Sequence, residues 1–340
     1  KISMTLVVNN LTQKSFSVIT PYIIPKSLKK KVNAGDGFIF DSSIKLIGHN
    51  PKYTFSSREI LSQESIDLIN STNILVVTGA NIIKDKFEIA TGFNRDVLRK
   101  VKVPIALMGI GHYGNEIATK NGLDEASQIF ISELIERFPL ISVRCKGSYD
   151  YMINSLNKHT DNIINTSCPV IFNVDKIYKN FEKKSLYENL IVTLTDRAFL
   201  KDQLPLLKFA PTIFNSKKKF LALHQDYNNI ELQNFAKQLN YEIFVSDAYQ
   251  DYIDLYKEAD IHIGNRVHGH LKSLSLGIPS FCTPFDMRQK FFSMSIGLPL
   301  VNQINDPALK DFNFTNFTNH QKELYDTMKI FTSKILENII

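Results

Sequence analysis

Cysteine is scarce in this sequence, and the few copies present do not suggest pairing. The three cysteines are Cys145, Cys168 and Cys282. An odd number at such wide spacing argues against a disulfide framework, because such frameworks use an even number of closely spaced cysteines. We therefore expect a protein of a reducing compartment and predict that it works in the cytoplasm.

Long apolar runs are also missing. The longest ones, such as 74–77 and 105–110, are far shorter than the ~20 residues that cross a bilayer. Apolar residues nevertheless make up 44% of the chain and charged residues 22%. This balance can bury substantial cores and differs from that of disordered proteins. The sequence therefore predicts a folded chain without a membrane span.

A strong charge of one sign is absent as well, because 40 lysines and arginines face 34 acids, for a formal net charge of +6. The dense basic runs are the lysines at 29–31 and 217–219, and neither alternates with aromatic residues as base-stacking surfaces do. We interpret these runs as solvated faces and expect no nucleic acid among the partners. A mild positive excess suits small anionic ligands or peripheral contact with the inner face of an anionic membrane.

The length and the strand pattern together predict the architecture. A chain of 340 residues exceeds what one core usually serves, so we expect two domains of roughly 150 to 180 residues. Short apolar runs alternate with helical periodicity, which is typical of parallel sheets covered by helices. The predicted strands are 73–78, 103–108, 140–143, 190–194, 220–223, 241–245, 260–264 and 279–282. We predict an α/β fold of two doubly wound domains, 1–175 and 185–315, that face each other across a cleft.

Three further segments refine this prediction. A helix is expected from an N-cap at Asp124 to about Phe138, and the charged stretch 176–184 interrupts the apolar periodicity as a domain boundary. The last helix, about 319–339, carries an apolar stripe formed by Leu324, Met328, Phe331, Ile335 and Ile339. Such a stripe must be buried, so this helix, assigned to 319–340, needs a surface to pack on.

The segment with the most candidate functional residues is a predicted strand that is followed by Arg266-Val267-His268 at a helix start. The N–H groups and the dipole of a helix's first turn attract an anion, and Arg266 adds a planar fork that matches phosphate or carboxylate. His268 would lie beside that anion, which raises its pKa while the helix N-terminus lowers it. We therefore predict that His268 changes protonation near neutral pH and acts as a general acid.

Two neighbouring histidines invite a comparison with metal sites. We interpret His262 as a strand residue and His270 as a residue of the helix surface. Although three histidines lie close together in the sequence, no cluster of carboxylates or cysteines completes a ligand set. We predict no metal ion and no bound cofactor.

A glycine-rich segment, Gly109-Ile110-Gly111-His112-Tyr113-Gly114, matches the pattern G-x-G-x-x-G. The context of a dinucleotide site is missing, because 115–122 resembles a loop and the next strand ends without an acid for the ribose. The other interpretation is that the glycines let the backbone approach a ligand while His112 projects into the cleft. A loop histidine without function is the alternative.

Two more segments hold candidate binding residues. Arg144 ends the strand 141–143 and would form a second anion clamp in the cleft, unless it pairs with an acid such as Asp150. The segment 33–37, Asn-Ala-Gly-Asp-Gly, predicts a turn with Asp36 as an N-cap. Its functional alternative is a polar loop that faces a sugar.

In the order of these motifs the sequence resembles the polysaccharide pyruvyl transferases, which move an enolpyruvyl unit from phosphoenolpyruvate onto sugar hydroxyls. The resemblance runs from about residue 33 to 300, and the block from Arg-x-His to the late Lys is its most specific part. The matching landmarks are Gly35-Asp36, Ser142-Val143-Arg144, Cys168-Pro169, Arg266-Val267-His268, Gly277-Ile278-Pro279, Phe285-Asp286 with Lys290, and Gly297-Leu298. Cys145 departs from the family, which often has Asp after the Ser-Val-Arg arginine.

The resemblance implies a fold, a reaction and residue roles. The fold would be two Rossmann-like domains of the glycosyltransferase-B type, with the last helix crossing back to the first domain. The reaction would form a pyruvate ketal on a cell-surface glycan or its lipid-linked precursor, with phosphoenolpyruvate as donor substrate and no cofactor. Arg144, Arg266 and Lys290 would bind the donor, His268 and His112 would be catalytic, and Asp36 and Asn33 would lie on the acceptor side.

Other functions remain open at this point. A glycosyltransferase of the same fold would use a nucleotide sugar, although no clear anchor for a base or ribose is visible. A glycan-binding protein without catalysis would keep the fold and lose the chemistry, since fold alone does not imply function.

Overall fold

The computed structural model describes residues 14–23, 33–79, 81–112, 122–174, 181–195, 200–225, 229–303, 305–311 and 313–340. Within these ranges the strands are β1 Phe16–Thr20, β2 Tyr53–Ser56, β3 Ile74–Thr78, β4 Ile105–Ile110, β5 Ile141–Val143, β6 Ile163–Asn165, β7 Tyr187–Thr193, β8 Ser216–Ala222, β9 Glu242–Phe244, β10 Ile261–Gly264 and β11 Ser280–Cys282. The α-helices are α1 Ala34–Ile47, α2 Gln63–Asn70, α3 Arg95–Lys100, α4 Glu125–Arg137, α5 Lys146–Ser155, α6 Leu200–Phe214, α7 Ile230–Gln238, α8 Tyr249–Lys257, α9 Val267–Ser275, α10 Met287–Ile296, α11 Ala308–Asp311 and α12 Thr315–Ile339.

The strands form two parallel sheets. The first has the order β2-β1-β3-β4-β5-β6 and the second β11-β10-β7-β8-β9. Every residue of β3, β4 and β10 is buried, as expected for strands covered on both faces. The predicted α/β fold of two Rossmann-like sheets is therefore confirmed. The bounds 1–175 and 185–315 stay a prediction, and residues 175–180 of the expected boundary lie outside the described residues.

The eight predicted strands are all present, with ends shifted by a few residues. Helix α4 also begins as predicted, because the Asp124 side chain accepts a hydrogen bond from the Ser127 N–H at 2.8 Å. Strands β1, β2 and β6 were not predicted. Of these, β1 is fully buried in the middle of the first sheet, where it pairs with both β2 and β3.

The predicted turn at residues 33–37 is wrong. Asn33 is the N-cap, because its side chain accepts a hydrogen bond from the Gly35 N–H at 3.0 Å, and Asp36 lies inside the first turn of α1. Glycines usually disfavour a helix, but the acidic residue in the first turn and the Asn cap stabilise its start. The segment is a helix N-terminus whose close packing, described below, requires small residues.

Helix α12 contacts elements of the first sheet and its helices. The Phe331 ring lies 5.6 Å from the Phe138 ring, and the Tyr325 ring lies 5.4 Å from the Phe172 ring. The Gln321 side-chain amide donates to the Ile171 carbonyl at 2.8 Å. The apolar stripe predicted from the sequence is buried along its whole length. In the part of the chain described above, no helix is both long and apolar enough to cross a membrane.

Helices α1 and α9 join the two sheets through a buried ion pair. The Lys272 ammonium of α9 lies 3.9 Å from the Asp41 carboxylate of α1, and their side chains are 8% and 10% exposed. Burial lowers the pKa of Lys272 to about 8, although Asp41 opposes this change and Lys45 and Lys257 add to it. The charged form of Lys272 is therefore less stable in the folded protein than in the unfolded chain.

This pair predicts a pH dependence of stability. Between pH 8 and about pH 10.4, the usual lysine pKa, the unfolded chain holds the Lys272 proton and the folded protein does not, so stability rises with pH. The free energy of unfolding of the native protein, relative to that of Lys272→Met, should grow by about 3 kcal/mol over this range. Urea unfolding of both proteins at several pH values measures the difference, and a constant difference would contradict the assignment.

Candidate functional site

The candidate site lies where the carboxyl ends of both sheets meet. Arg144 follows β5 and His112 follows β4 of the first sheet, whereas Arg266 and His268 follow β10 of the second. Open parallel sheets bind ligands at these ends, because the loops there converge and helix N-termini point toward them. Residues from the two halves meet here, because the start of α1, which follows β1 of the first sheet, packs against the His268 imidazole.

The N-terminal turn of α1 packs directly on the second sheet's helices. The Ala34 N–H donates to the His224 carbonyl at 2.8 Å. A Cβ atom at Gly35 would lie 2.6 Å from the His268 Nδ1, and one at Gly37 would lie 2.4 Å from the Tyr249 Cβ. Only glycine fits at either position, so the unusual Gly-Asp-Gly start of the helix brings the two halves of the site into contact.

Arg144 is the most enclosed cation of the site, with only 3% of its surface exposed. A Cβ at Gly111 would lie 2.0 Å from the Arg144 Nε, and the guanidinium carbon lies 5.6 Å from the centre of the Phe292 ring. One terminal nitrogen donates to the Asn81 side chain, while Nε has no partner among the described residues. A buried guanidinium with an open donor is suited to an anionic ligand. The predicted alternative partner, Asp150, instead bonds to Lys146 at 2.8 Å.

Arg266 occupies the N-cap position of α9, and His268 lies in the first turn. Hydrogen bonds from Arg266 to the Leu194 carbonyl and the Gln225 side chain, both 3.3 Å long, direct its guanidinium. The His268 Nε2 is buried without a partner among the described residues. Burial, followed by the charges of Arg144, Arg288 and Arg266, lowers the pKa of His268 well below its ordinary value. Without a bound anion the protein's own groups thus favour a neutral imidazole. The titration of His268 near neutral pH beside a bound anion stays a prediction.

Two arginines of the site were not predicted. Arg288, at the start of α10, acts electrostatically on both His268 and Arg144, and it is bonded to the Asp286 carboxylate at 2.5 to 3.0 Å. Lys290, which the resemblance assigns to the donor, lies exposed on the same helix. Its role stays a prediction, whereas the charge of Arg288 acts on His268 and Arg144.

Arg58 is the second arginine that the sequence did not reveal, because it follows the unpredicted strand β2. Its Nη2 donates to the Asp36 Oδ2 at 2.9 Å, and its Nε donates to the Pro21 carbonyl at 3.0 Å. Burial raises the pKa of Asp36, although Arg58, Arg144 and Arg266 oppose the rise. Asp36 and Asn33, the two residues assigned to the acceptor side, lie at the start of α1, and Asp36 is the one that contacts this arginine.

His112 is buried, with its ring 4.3 Å from the Tyr151 ring. Neither of its ring nitrogens has a partner among the described residues. Burial lowers the pKa of His112, and the charge of Arg144 contributes to the decrease. These effects favour the neutral form of His112, and its catalytic role stays a prediction.

Gly109 and Gly111 of the glycine-rich segment lie in close contact with other parts of the protein. Gly109 has φ +63°, and a Cβ there would lie 2.7 Å from the Pro169 ring, while Gly111 leaves room for Arg144. The glycines thus accommodate side chains of the protein itself. Gly114, the last glycine of the pattern, lies outside the described residues.

The two neighbouring histidines are both structural. His262 is buried in β10, as predicted, but His270 is buried too, which corrects its assignment to the helix surface. The Nδ1 atoms of both rings lie 2.7 Å from the Ser280 hydroxyl oxygen, which thereby joins α9 to β10 and β11. Among the residues that the structure describes, no group of three potential ligands could hold a metal ion.

Comparison with solved structures gives distant likenesses. A UDP-GlcNAc 2-epimerase from Neisseria meningitidis, bound to UDP-GlcNAc, is 10% identical with a TM-score of 0.49, over 96% of this chain and 99% of that one. S. aureus MnaA with UDP is 12% identical with a TM-score of 0.46, over 95% and 91%. A variant of the wall teichoic acid polymerase TagF is 13% identical with a TM-score of 0.48, over 96% and 88%.

Sequence comparison is more informative. Among curated proteins, no sequence matches this chain. The sequence pattern of the polysaccharide pyruvyl transferases, however, matches residues 33–286, well over half of the chain. That span begins at the N-cap of α1 and ends at Asp286, so it contains most of the residues that meet in the site. The chain therefore belongs to the polysaccharide pyruvyl transferase family.

Proposed function

We propose that this protein transfers the enolpyruvyl unit of phosphoenolpyruvate to hydroxyls of a sugar and closes a pyruvate ketal. Membership of the family makes the chain a transferase of polysaccharide biosynthesis. The observation that supports the specific donor is the group of four guanidiniums, Arg58, Arg144, Arg266 and Arg288, gathered around His268 and Asp36.

The charges of this group suit a small, highly charged anion. Four guanidiniums face the carboxylates of Asp36 and Asp286, which leaves an excess of two positive charges. Phosphoenolpyruvate carries a phosphate and a carboxylate on the same carbon atom, and arginine forks match both groups. Arg144 and Arg266 would bind these groups, with Arg288 beside them, and binding would relieve the repulsion among the cations.

His268 would supply the proton that starts the reaction. Its low pKa is set by burial and by three arginines, and a bound phosphate would counter both effects by adding negative charge. The proton would move to the methylene carbon of the donor and leave an oxocarbenium-like centre that one sugar hydroxyl attacks. Phosphate then leaves with its bonding electron pair, and a second hydroxyl attacks the same carbon to close the ketal. Proton transfer by a positioned side chain contributes about 10² to 10⁴-fold.

The acceptor would approach from the side of α1. The Asn33 side-chain oxygen is engaged with the Gly35 N–H, so its amide nitrogen is the part that would contact a sugar oxygen. His112 would border the donor side behind Arg144. A cell-surface glycan or its lipid-linked precursor is the proposed acceptor, and contact with the inner face of the membrane would follow for the lipid-linked form.

The experiment that tests the donor combines mass spectrometry with a binding measurement. The native protein, incubated with phosphoenolpyruvate and a candidate glycan, should increase the glycan mass by one pyruvate less one water. Arg266→Ala should weaken phosphoenolpyruvate binding by about 1.5 to 3 kcal/mol, the range of a hydrogen bond to a charged group. Calorimetry measures the loss, and Arg99→Ala, an exposed arginine of α3, is the matched control. Unchanged affinity in Arg266→Ala would contradict the proposed donor site.

A further inference from the structure

A carboxylate in the middle of an anion-binding site requires an explanation. Asp36 has a side chain only 14% exposed, and the charges of Arg58, Arg144 and Arg266 all act on it. Its negative charge repels any anion that these arginines attract. The residue therefore weakens donor binding, so a role in holding the donor does not account for it.

A purely structural role is also insufficient. Arg58 is already anchored by the Pro21 carbonyl, which accepts from Nε at 3.0 Å, so Asp36 is not needed to fix this arginine. The start of α1 is capped by Asn33, so Asp36 is not the cap either. Only Oδ2 of Asp36 takes part in the ion pair with Arg58, and Oδ1 accepts no hydrogen bond from the described residues. One carboxylate oxygen is therefore available to a further donor.

The second carboxylate of the site provides a contrast. Both oxygens of Asp286 are bonded to Arg288, and Oδ1 also accepts from the Arg288 N–H at 2.8 Å as the N-cap of α10. Asp286 is thus committed to holding the helix start and its arginine. Of these two carboxylates, Asp36 has the oxygen that an incoming hydroxyl could reach.

The proposed reaction needs such a group. Formation of the ketal removes a proton from each of two sugar hydroxyls, whereas the methylene carbon takes up only one proton and phosphate leaves as the other product. A proton donor must therefore act at the methylene carbon, and a proton acceptor must act at the hydroxyl that attacks the adjacent carbon. Gly35, next to Asp36, abuts the His268 Nδ1, so the helix turn that carries the carboxylate packs against the proposed acid.

We propose that Asp36 is the general base that takes the proton from the attacking sugar hydroxyl, with Arg58 as the residue that positions it. The inference rests on the proposed function. In the step, a hydroxyl proton moves to Asp36 Oδ1 as the C–O bond to the donor carbon forms, and the same proton is later released to the departing phosphate or to solvent. Burial keeps Asp36 more basic than an exposed carboxylate.

The test compares Asp36→Asn with Asp41→Asn, which removes another ion-paired carboxylate of the same helix. Asp36→Asn should bind phosphoenolpyruvate at least as tightly as the native protein, because a repelling charge is gone, while kcat falls by about 10² to 10⁴-fold. The rise of kcat with pH on the acidic side, expected for the native protein, should be absent in Asp36→Asn. Asp41→Asn should keep both the turnover and the pH profile.

Chemical rescue separates a base from a structural residue. Formate should restore part of the turnover of Asp36→Ala, since an added carboxylate can accept the hydroxyl proton, and it should not affect Asp41→Asn. Near-native kcat in Asp36→Asn would overturn the inference, as would a loss of donor affinity that parallels the loss of kcat. If Asp36→Asn does not fold, kcat of the native protein is measured against pH at saturating donor. A kcat that rises with pH on the acidic side would support the inference, and a kcat that is independent of pH would overturn it. A native protein that neither binds nor transfers the donor would instead overturn the proposed function, and this inference with it.

Discussion

Replacing His268 by glutamine should reduce turnover by about 10² or more while leaving the protein folded, because glutamine keeps a hydrogen-bonding group and cannot transfer a proton. The His268 Nε2 is buried and has no partner among the described residues, and the charges of Arg144, Arg288 and Arg266 act on the imidazole. As the donor's proton source it must be charged in the complex, so the rate should fall as pH rises through its pKa there. The variant should lack this descending limb.

Steady-state kinetics across a pH series, with phosphate release as the signal, measures both effects of the His268 substitution. His49→Gln is the matched control, because His49 is exposed in the segment after α1. The melting temperature of each variant reports its folding. Near-native turnover of His268→Gln would mean that this imidazole only fills space beside Gly35.

Replacing Phe331 of α12 by alanine should lower the free energy of unfolding by about 3 to 5 kcal/mol, as expected for a large aromatic residue removed from a core. Phe331 is fully buried against Phe138. Truncation after Pro307 removes the whole apolar stripe and should leave a chain that binds hydrophobic dyes and melts at a much lower temperature.

The neighbouring residue provides the control for α12. Ile330 is 60% exposed, so Ile330→Ala should change stability by no more than about 0.5 kcal/mol. Urea unfolding compares the two variants. Equal effects of the two substitutions, or a truncated chain that stays folded and active, would show that α12 is dispensable.

The strands that could be predicted are those whose burial is visible as a continuous apolar run, such as 74–77 in β3 and 105–110 in β4. Strand β1, with the sequence Phe-Ser-Val-Ile-Thr, is just as buried but contains polar residues whose partners lie far away in the chain. The Ser17 hydroxyl, for example, lies 3.3 Å from the Thr72 hydroxyl. Local sequence cannot show that a polar side chain finds such a partner, so the run resembles a loop.

The site residues that could be predicted are those that belong to a short local sequence motif. Arg266 and His268 share a helix start, and Arg144 ends a clear strand, so their placement follows from local sequence. Arg58 and Arg288 join them only through tertiary structure, and Asp286 next to Arg288 indicates an ordinary helix cap as readily as a site residue. The burial that lowers the pKa of His268 also comes from packing between the sheets, which no local pattern contains.

The contact between Gly35 and His268 limits how freely the two halves of such a protein can be exchanged. Glycine disfavours a helix interior by about 1 kcal/mol relative to alanine, yet a single added methyl group at position 35 would overlap the imidazole of the opposite half. The residue type in α1 is therefore set by a side chain of the other sheet and not by the helix that contains it. A hybrid chain built from two family members would assemble its site only when this glycine and this histidine enter it together as a matched pair.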